Sequence, residues 1–166
     1  MIESQNRTLA VSLLTTCVTN GLAVTTAESC TGGLVAGAIT DIPGSSQIFD
    51  RGFVTYSNAA KRDMLGVTEA TLQAHGAVSR ETALEMAAGA LARSKADVAV
   101  AVTGVAGPDG GTPEKPVGLV HFAVAGRSGA VKHVERRFGA LSRDEIRAKS
   151  VAQALKMLLE AARLGP

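Results

Sequence analysis

The chain has 166 residues, of which 46% are hydrophobic and 19% are charged. This composition excludes a disordered chain, and the length is sufficient for one globular core without disulfides or a metal. The net charge is +2 without a run of basic residues, which argues against nucleic acid as a partner, and no apolar run is long enough to span a membrane. We therefore expect a single domain over residues 1–166 that has neither nucleic acid nor a membrane as a partner.

The two cysteines, Cys17 and Cys30, are too few for a disulfide framework and lack the paired spacing of zinc ligands. The N-terminal segment carries early acidic and polar residues and lacks the apolar run of a secretory signal. These features predict a cytoplasmic protein with two reduced thiols and without a metal or other cofactor.

The N-terminal part of the chain predicts a helix, a strand and a second helix. Apolar residues at helical spacing cover residues 3–20 and end at Asn20-Gly21, a helix-stop signal. A short buried strand follows over residues 22–27, and residues 34–40 have a helical pattern. The polar loop 28–33 lies between these two elements, an arrangement that presents backbone N–H groups at the start of a helix.

The central part predicts two strands, three helices and a long loop. The pattern favours a strand over 48–56, short helices over 58–65 and 68–75, and an alanine-rich helix over 79–94. Residues 97–102 form a nearly continuous run of Val and Ala, which is typical of a central strand buried on both sides. The segment 103–113 is rich in glycine and proline and is predicted to be a loop.

The C-terminal part predicts a hairpin and a last helix. Strands over 117–125 and 131–138 are joined at 126–129, and the capping-box pattern Ser142-Arg-Asp-Glu145 opens a helix over 144–163. The order of elements predicts an α/β fold, a three-layer α/β/α sandwich with a mixed sheet. Because ligands in such sheets bind beyond the carboxyl ends of the strands, we expect loops 28–33 and 103–113 to share a pocket.

Both loops contain groups that suit ligand binding. The first offers two hydroxyls and two glycine amides that fit an anion such as phosphate: Ser29, Thr31, Gly32 and Gly33. Simple capping of the following helix is the alternative interpretation. In the second loop, Gly104 and Gly107 allow the backbone to approach a ligand closely, and a mobile surface loop is the alternative.

Two residue types in the sequence could act as a nucleophile. Ser46 lies in a Pro-Gly-Ser-Ser turn, and Lys61 could take its proton if burial keeps that lysine neutral. The alternative is a serine that caps a turn and a lysine in solvent. Cys30 is the other candidate, but the histidines have no spacing that favours a dyad with it, so a buried structural thiol is the simpler interpretation.

Several motifs, taken in order, resemble the CinA C-terminal family over roughly residues 7–160. They are Ala27-Glu-Ser-Cys-Thr-Gly-Gly33, Ile42-Pro-Gly-Ser-Ser46, Gly52-Phe-Val-Thr-Tyr-Ser-Asn58 with Lys61, His75-Gly-Ala-Val-Ser79, Thr103-Gly-Val-Ala-Gly-Pro-Asp-Gly-Gly111 and Lys115-Pro-Val-Gly118. The family includes stand-alone nicotinamide-nucleotide amidases and proteins fused to an N-terminal molybdopterin-binding-like domain, and this chain resembles the stand-alone form.

The resemblance implies a serine-based amidohydrolase that converts nicotinamide mononucleotide to nicotinate mononucleotide and ammonia in NAD recycling. When the roles known in the family are assigned to the matching motif positions, the resemblance implies Ser46 as the nucleophile and Lys61 as the base, acting directly or through Tyr56. Ser29 is the alternative nucleophile. The other residues expected to contact the nucleotide substrate are Ser29, Cys30, Thr31, Gly32, Gly33, Thr103, Gly104, Gly107 and Arg143.

Two rival functions stay open at this point. A non-catalytic nucleotide-binding protein linked to competence or DNA damage would not need both Ser46 and Lys61, and the chain keeps both. A pyrophosphatase acting on ADP-ribose would need a carboxylate cluster for a metal, which the sequence lacks. We also expect a homo-oligomer, a dimer or higher, since symmetric assemblies are the commonest outcome for such proteins.

Overall fold

The computed structural model describes residues 2–166; Met1, which the single-domain prediction includes, lies outside it. Its helices and strands follow in the order α1 (Ile2–Asn20), β1 (Val24–Glu28), α2 (Leu34–Thr40), β2 (Phe49–Val54), α3 (Asn58–Leu65), α4 (Glu69–His75), α5 (Arg80–Ala92), β3 (Val98–Gly104), β4 (Leu119–Gly126), β5 (Val131–Arg137) and α6 (Arg143–Leu164). A single 3₁₀ turn, Ser45–Gln47, precedes β2. The predicted order of elements is confirmed, and most boundaries lie within two residues of the prediction.

The five strands form one mixed sheet in the order β2-β1-β3-β4-β5. Strand β1 pairs in parallel with both β2 and β3, whereas β3–β4 and β4–β5 are antiparallel. The predicted central strand is indeed β3, and its Val and Ala residues are fully buried because helices cover both of its faces. The carboxyl ends of β1, β2 and β3 therefore lie at the same edge of the sheet.

Helices pack on the two faces of the sheet in separate sets, which confirms the predicted three-layer architecture. Helices α1, α2 and α6 cover one face around a core of Val, Leu and Ile side chains that includes Phe122. Helices α3, α4 and α5 cover the other face, where Ala99, Ala101 and Ala123 allow α5 to approach the strands closely. No helix in residues 2–166 is both long enough and apolar enough to cross a bilayer.

Serine and threonine caps fix where four of the helices begin. The side chains of Ser57, Thr68, Ser79 and Ser142 each accept a hydrogen bond from the backbone amide three residues later, which satisfies one free N–H of the first turn. The cap at Ser142 confirms the predicted start of the last helix. The cap at Ser57 sets the start of α3, the helix that carries Lys61.

Candidate active site

A cavity of about 280 Å³ opens at the edge where the parallel strands end. The segments after β1, β2 and β3 all reach it, and α6 closes one side. Its lining residues are Ser29, Cys30, Tyr56, Lys61, Ala77, Val78, Thr103, Gly104, Val105, Ala106, Gly107, Asp109 and Arg143. The prediction that the two glycine-containing loops share a pocket is therefore confirmed.

Lys61 is the most unusual side chain in this cavity, because it is a lysine with only 1% of its surface exposed. Its Nζ lies 3.0 Å from Ser29 Oγ, 2.9 Å from the carbonyl oxygen of Thr55 and 3.2 Å from that of Tyr56. Burial lowers the pKa of Lys61, and the nearby Cys30 opposes this effect only in part. The amine is thus shifted toward the neutral form that can accept a proton.

The three oxygen atoms around the Lys61 amine can be served by either protonation state of that amine. A neutral –NH₂ group has two N–H donors and one lone pair. In the structure Nζ donates to Ser29 Oγ and to the carbonyl oxygens of Thr55 and Tyr56; in the neutral amine the two donors can stay on the carbonyls, and the lone pair can take the hydroxyl proton of Ser29. This is the geometry in which a lysine activates a serine as a nucleophile.

Ser29 lies on the loop between β1 and α2, and a buried carboxylate fixes the start of that helix. Glu28, which is 1% exposed, accepts hydrogen bonds from the amides of Val35 at 2.8 Å and Ala36 at 3.1 Å. The amide of Ser29 donates to the carbonyl of Val102 at 2.9 Å, which ties the loop to β3. Ser29 is therefore held between the ends of two parallel strands.

Ser46 does not lie in this cavity, so the predicted pairing of Ser46 with Lys61 is corrected. Ser46 is exposed in the 3₁₀ turn that precedes β2, and β2 runs parallel to β1. The turn therefore lies at the amino ends of the strands, and the six residues of β2 separate it from the cavity by about 20 Å at ~3.3 Å per residue. The lysine contacts the alternative nucleophile, Ser29.

Tyr56 and Arg143 meet at the mouth of the cavity. The tyrosine side chain is 62% exposed, and its hydroxyl accepts a hydrogen bond from Arg143 Nη2 at 3.1 Å. Arg143 Nη1 donates to the carbonyl of Gly107 at 2.9 Å. Because Lys61 reaches Ser29 directly, no relay through the Tyr56 hydroxyl is needed, and the tyrosine side chain forms part of the rim.

Thr103 and Gly104 shape the wall formed by β3. Thr103 is buried, and its hydroxyl donates to the carbonyl of Ala77 at 2.8 Å, so it anchors the segment between α4 and α5 against the strand. A side chain at Gly104 would place a Cβ within 2.7 Å of the Leu119 carbonyl oxygen. Glycine is required here because β3 and β4 approach closely at the edge of the cavity.

The whole chain is similar to known proteins. The model of the CinA C-terminal domain matches residues 6–162. This chain belongs to the CinA C-terminal domain family. It is 51% identical over 159 residues to the nicotinamide-nucleotide amidohydrolase PncC of Enterobacter agglomerans, with 96% of each chain covered. It is 56% identical over 140 residues to the PncC protein of Escherichia coli K12, with 83% of each covered.

A solved structure of the CinA family has the same fold. The competence/damage inducible protein CihA from Agrobacterium tumefaciens superimposes with a TM-score of 0.93 at 60% sequence identity, and 94% of each chain is covered. Membership in the CinA family, predicted from the motifs, is therefore confirmed over nearly the full length.

The remaining predicted contacts of this CinA-family loop divide into two groups. Cys30 lines the cavity, but burial raises the pKa of its thiol to about 11, so it stays protonated at neutral pH and is a poor nucleophile. Thr31, Gly32 and Gly33 are absent from the cavity wall formed by the described residues. Both glycines have positive φ angles, 55° and 102°, and their role is to turn the chain from β1 into α2.

Three contributions to the CinA-family site were missed in the sequence. Glu28 was quoted within a motif, but its role as a helix cap depends on a carboxylate that folds forward by seven residues. Ala77 and Val78 form a wall because Thr103 holds their segment. Arg147 contacts the loop of Ser29, and its spacing of four residues from Arg143 was the one available signal.

Within residues 2–166, histidines are absent from the walls of this cavity. His121 and His133 face each other across β4 and β5, with 2.9 Å between Nδ1 and Nε2. The described residues contain no group of three or more His, Cys, Asp or Glu side chains placed to hold a metal ion.

Proposed function

We propose that the chain is one amidohydrolase domain that hydrolyses the carboxamide of nicotinamide mononucleotide to nicotinate mononucleotide and ammonia. The observation that carries the proposal is the 3.0 Å contact between Ser29 Oγ and the buried amine of Lys61 at the bottom of the cavity. The similarity to two nicotinamide-nucleotide amidohydrolases over most of the chain supports the same activity.

Ser29 is the proposed nucleophile. Neutral Lys61 takes the hydroxyl proton as Ser29 Oγ attacks the carboxamide carbon, and a tetrahedral oxyanion forms. Collapse of this intermediate breaks the C–N bond, and Lys61 returns the proton to the leaving nitrogen, which departs as ammonia. Water then attacks the acyl-serine, with Lys61 again as base, and releases the pyridine carboxylate while Ser29 regains its proton.

The developing oxyanion needs hydrogen-bond donors aimed at the site of attack. The proposed donor is the backbone amide of Cys30, which directly follows the nucleophile and belongs to a residue that lines the cavity, since the Gly32 amide already donates to the Ser29 carbonyl. One such donor contributes about 3–4 kcal/mol of transition-state stabilisation in comparable acyl transfers. The Ser29 amide itself is already used, because it donates to Val102.

Arg143 is the proposed ligand of the 5′-phosphate. It lies at the first residue of α6 beside the cavity mouth, and two of its five N–H groups are taken by Gly107 and Tyr56. The remaining donors of a planar guanidinium can bind a phosphate in a bidentate manner. Tyr56, exposed at the rim, offers a flat surface for the ribose or the pyridine ring.

A second candidate function is a nucleotide-binding protein without turnover. The solved relative from Agrobacterium tumefaciens is described as a competence/damage inducible protein rather than as an enzyme, and this observation favours the alternative. A binding protein has no need for a buried lysine beside a serine. Burial of an amine destabilises the fold, so such a residue is expected only where function requires it. The Ser29–Lys61 contact therefore favours the enzyme.

Ammonia release from nicotinamide mononucleotide by the purified, EDTA-treated protein tests the proposal. Wild-type protein is expected to release ammonia, and Ser29→Ala is expected to bind the nucleotide in calorimetry without turning it over. Tight binding by the wild type without ammonia would replace the enzyme with the binding protein. Full activity of Ser29→Ala would overturn the assignment of the nucleophile.

We also propose a homo-oligomer in the cytoplasm. Both cysteines are free and buried, which suits a reducing compartment. Large apolar side chains stay exposed on the outer helices and the edge strand, including Val18, Val131 and Leu164, and these supply apolar surface for a contact between copies. Light scattering of the purified protein tests the assembly, and a mass equal to one chain would refute it.

A further inference from the structure

Two charged side chains hold the loop of Ser29 from different sides. Glu28 binds the first amides of α2, as described above. Arg147, on the second turn of α6, donates from Nε to the carbonyl of Cys30 at 3.1 Å and from Nη2 to the carbonyl of Thr31 at 3.3 Å. These are the two carbonyls that directly follow Ser29 in the chain.

We propose that Arg147 is a positioning residue for the nucleophile, acting through the backbone of residues 30–32. The inference rests on the proposed function, in which Ser29 attacks the substrate. Arg147 does not line the cavity of Ser29; it lines a separate cleft on the other side of the loop, together with Gly33, Gly37 and Asp144. Its guanidinium therefore supports the loop from behind and has no access to the substrate.

A single peptide group connects Arg147 to Ser29. In a trans peptide the C=O and the N–H point in opposite directions, so holding the carbonyl of Thr31 also fixes the direction of the Gly32 N–H. That N–H donates to the carbonyl of Ser29 at 3.0 Å. The hydrogen bond from Arg147 is thereby transmitted through one rigid plane to the main chain of the nucleophile.

The chemistry of this contact calls for arginine. Two neighbouring carbonyls accept from one planar group at fixed separation, which the guanidinium fork provides. A lysine amine is a point donor on a flexible stem and cannot reproduce that geometry. The guanidinium of Arg147 also packs closely against Gly32, since a Cβ added at Gly32 would lie 3.3 Å from Arg147 Nη2.

The helix that carries Arg147 also carries the proposed phosphate ligand. Arg143 and Arg147 are four residues apart and lie on the same side of α6. Arg143 reaches the mouth of the cavity, and Arg147 reaches the back of the nucleophile loop. One rigid helix thus fixes the distance between the phosphate of the substrate and the serine that attacks its amide.

The test compares Arg147→Met with Lys149→Met, a control that removes an exposed cation from the same helix. Misplacement of a reacting group by about 1 Å costs about 100-fold in rate, so kcat of Arg147→Met is expected to fall by about 100-fold. KM is expected to change far less, because Arg147 does not touch the substrate. Lys149→Met is expected to keep the wild-type kcat and KM. Arg147→Lys is expected to behave like Arg147→Met, since it keeps the charge but not the fork.

Rescue by guanidinium provides a readout that a general loss of stability would not produce. The cleft beside Arg147 has a volume of about 580 Å³ and is open, so a guanidinium ion can enter it in Arg147→Ala. Guanidinium chloride, at concentrations far below those that unfold proteins, is expected to raise kcat of Arg147→Ala but not of wild type. Sodium chloride at the same ionic strength is expected to have no such effect.

Ser29→Ala measured in parallel separates the two possible failures. If Ser29→Ala is inactive while Arg147→Met keeps the wild-type kcat, the proposed function stands and the role of Arg147 is overturned. A loss in Arg147→Ala that guanidinium does not restore, with a melting temperature lowered to match, would also overturn it. If Ser29→Ala keeps full activity, the proposed nucleophile itself is wrong.

Discussion

Two serine-bearing turns in this protein lie in opposite environments. Ser29 follows β1, lies at the carboxyl edge of the sheet and contacts a buried amine. Ser46 precedes β2, lies at the amino edge and is exposed. A serine therefore becomes a candidate nucleophile through its position relative to strand direction and through a desolvated base, rather than through the residues that flank it.

Replacing each of the two serines with alanine is expected to separate them most clearly. Ser29→Ala removes the attacking oxygen and is expected to lower kcat/KM by about 10⁴-fold or more. Ser46→Ala removes an exposed hydroxyl and is expected to stay within about twofold of wild type, because surface changes have small effects. Ammonia release under saturating and limiting substrate measures both variants, and a large loss in Ser46→Ala would show that the exposed serine also takes part in catalysis.

Strand direction was available from the sequence and would have separated the two serines. The strand over 48–56 and the loops at strand ends were both predicted, and a turn before a parallel strand lies at the opposite edge from a turn after one. The serine of the pocket could therefore have been chosen on topology alone. The burial of Lys61 could not have been predicted from the sequence, because it depends on the carbonyl groups of Thr55 and Tyr56. The direction of these groups is set by the backbone after β2.

The contacts of Arg147 and Glu28 could not be predicted from sequence patterns either. Each depends on a long side chain that reaches the backbone of a different segment, and many rotamers compete for such a position. The helices, strands and caps were predictable because they depend on neighbours within a few residues, as at Ser142 and Glu145.

A second prediction tests how α3 keeps Lys61 against Ser29. Gly89 of α5 lies under the end of α3, where an added Cβ would come to 1.9 Å from the Leu65 carbonyl oxygen. Gly89→Ala must therefore push the helices apart, with an expected loss of about 1–3 kcal/mol of stability and a fall in kcat. Thermal unfolding and ammonia release measure the two effects.

Gly37 of α2 is the matched control for this substitution, because it is helical and has open space around it. Gly37→Ala is expected to stabilise the protein by about 0.5–1 kcal/mol through helix propensity and to leave kcat unchanged. Equal behaviour of Gly37→Ala and Gly89→Ala would show that the fit of α3 against α5 does not matter.

A third prediction concerns the pH dependence that the buried amine confers. The pKa of Lys61 is lowered in the folded protein, so between that pKa and the ordinary lysine value of about 10.4 the unfolded chain binds one more proton. Stability therefore rises with pH through this window. Lys61→Met removes the effect and is expected to melt at a higher temperature than wild type near neutral pH, with the difference shrinking as pH approaches 10.

The same shift in pKa governs catalysis. Ammonia release by wild type is expected to fall on the acid side of the lowered pKa, since protonated Lys61 cannot accept the proton of Ser29. Ser46 provides the contrast, because Ser46→Ala is expected to keep both the wild-type melting curve and the wild-type pH profile. A melting temperature of Lys61→Met that is lower than wild type at every pH would contradict the cost of burying the amine.

A much smaller loss than that of Ser29→Ala is expected for a change at the thiol next to the nucleophile. Cys30 is protonated at neutral pH because burial raises its pKa, so Cys30→Ala should lose only packing. We expect kcat to remain within about tenfold of wild type, and stability to fall by about 1 kcal/mol from the small cavity. Loss of activity as complete as in Ser29→Ala would move the chemistry from the hydroxyl to the thiol.

Most of the atoms that contact the Lys61 amine come from residues close to it in sequence. Two of the three atoms that its amine contacts belong to residues five and six positions earlier in the chain, and only Ser29 comes from a distant segment. The stretch 55–61, which includes the Ser57 cap of α3, is therefore a compact module that contains both the amine and the two carbonyl oxygens that bind it. Such a module is a natural unit to graft onto other parallel sheets, where a serine placed after the neighbouring strand would complete a dyad.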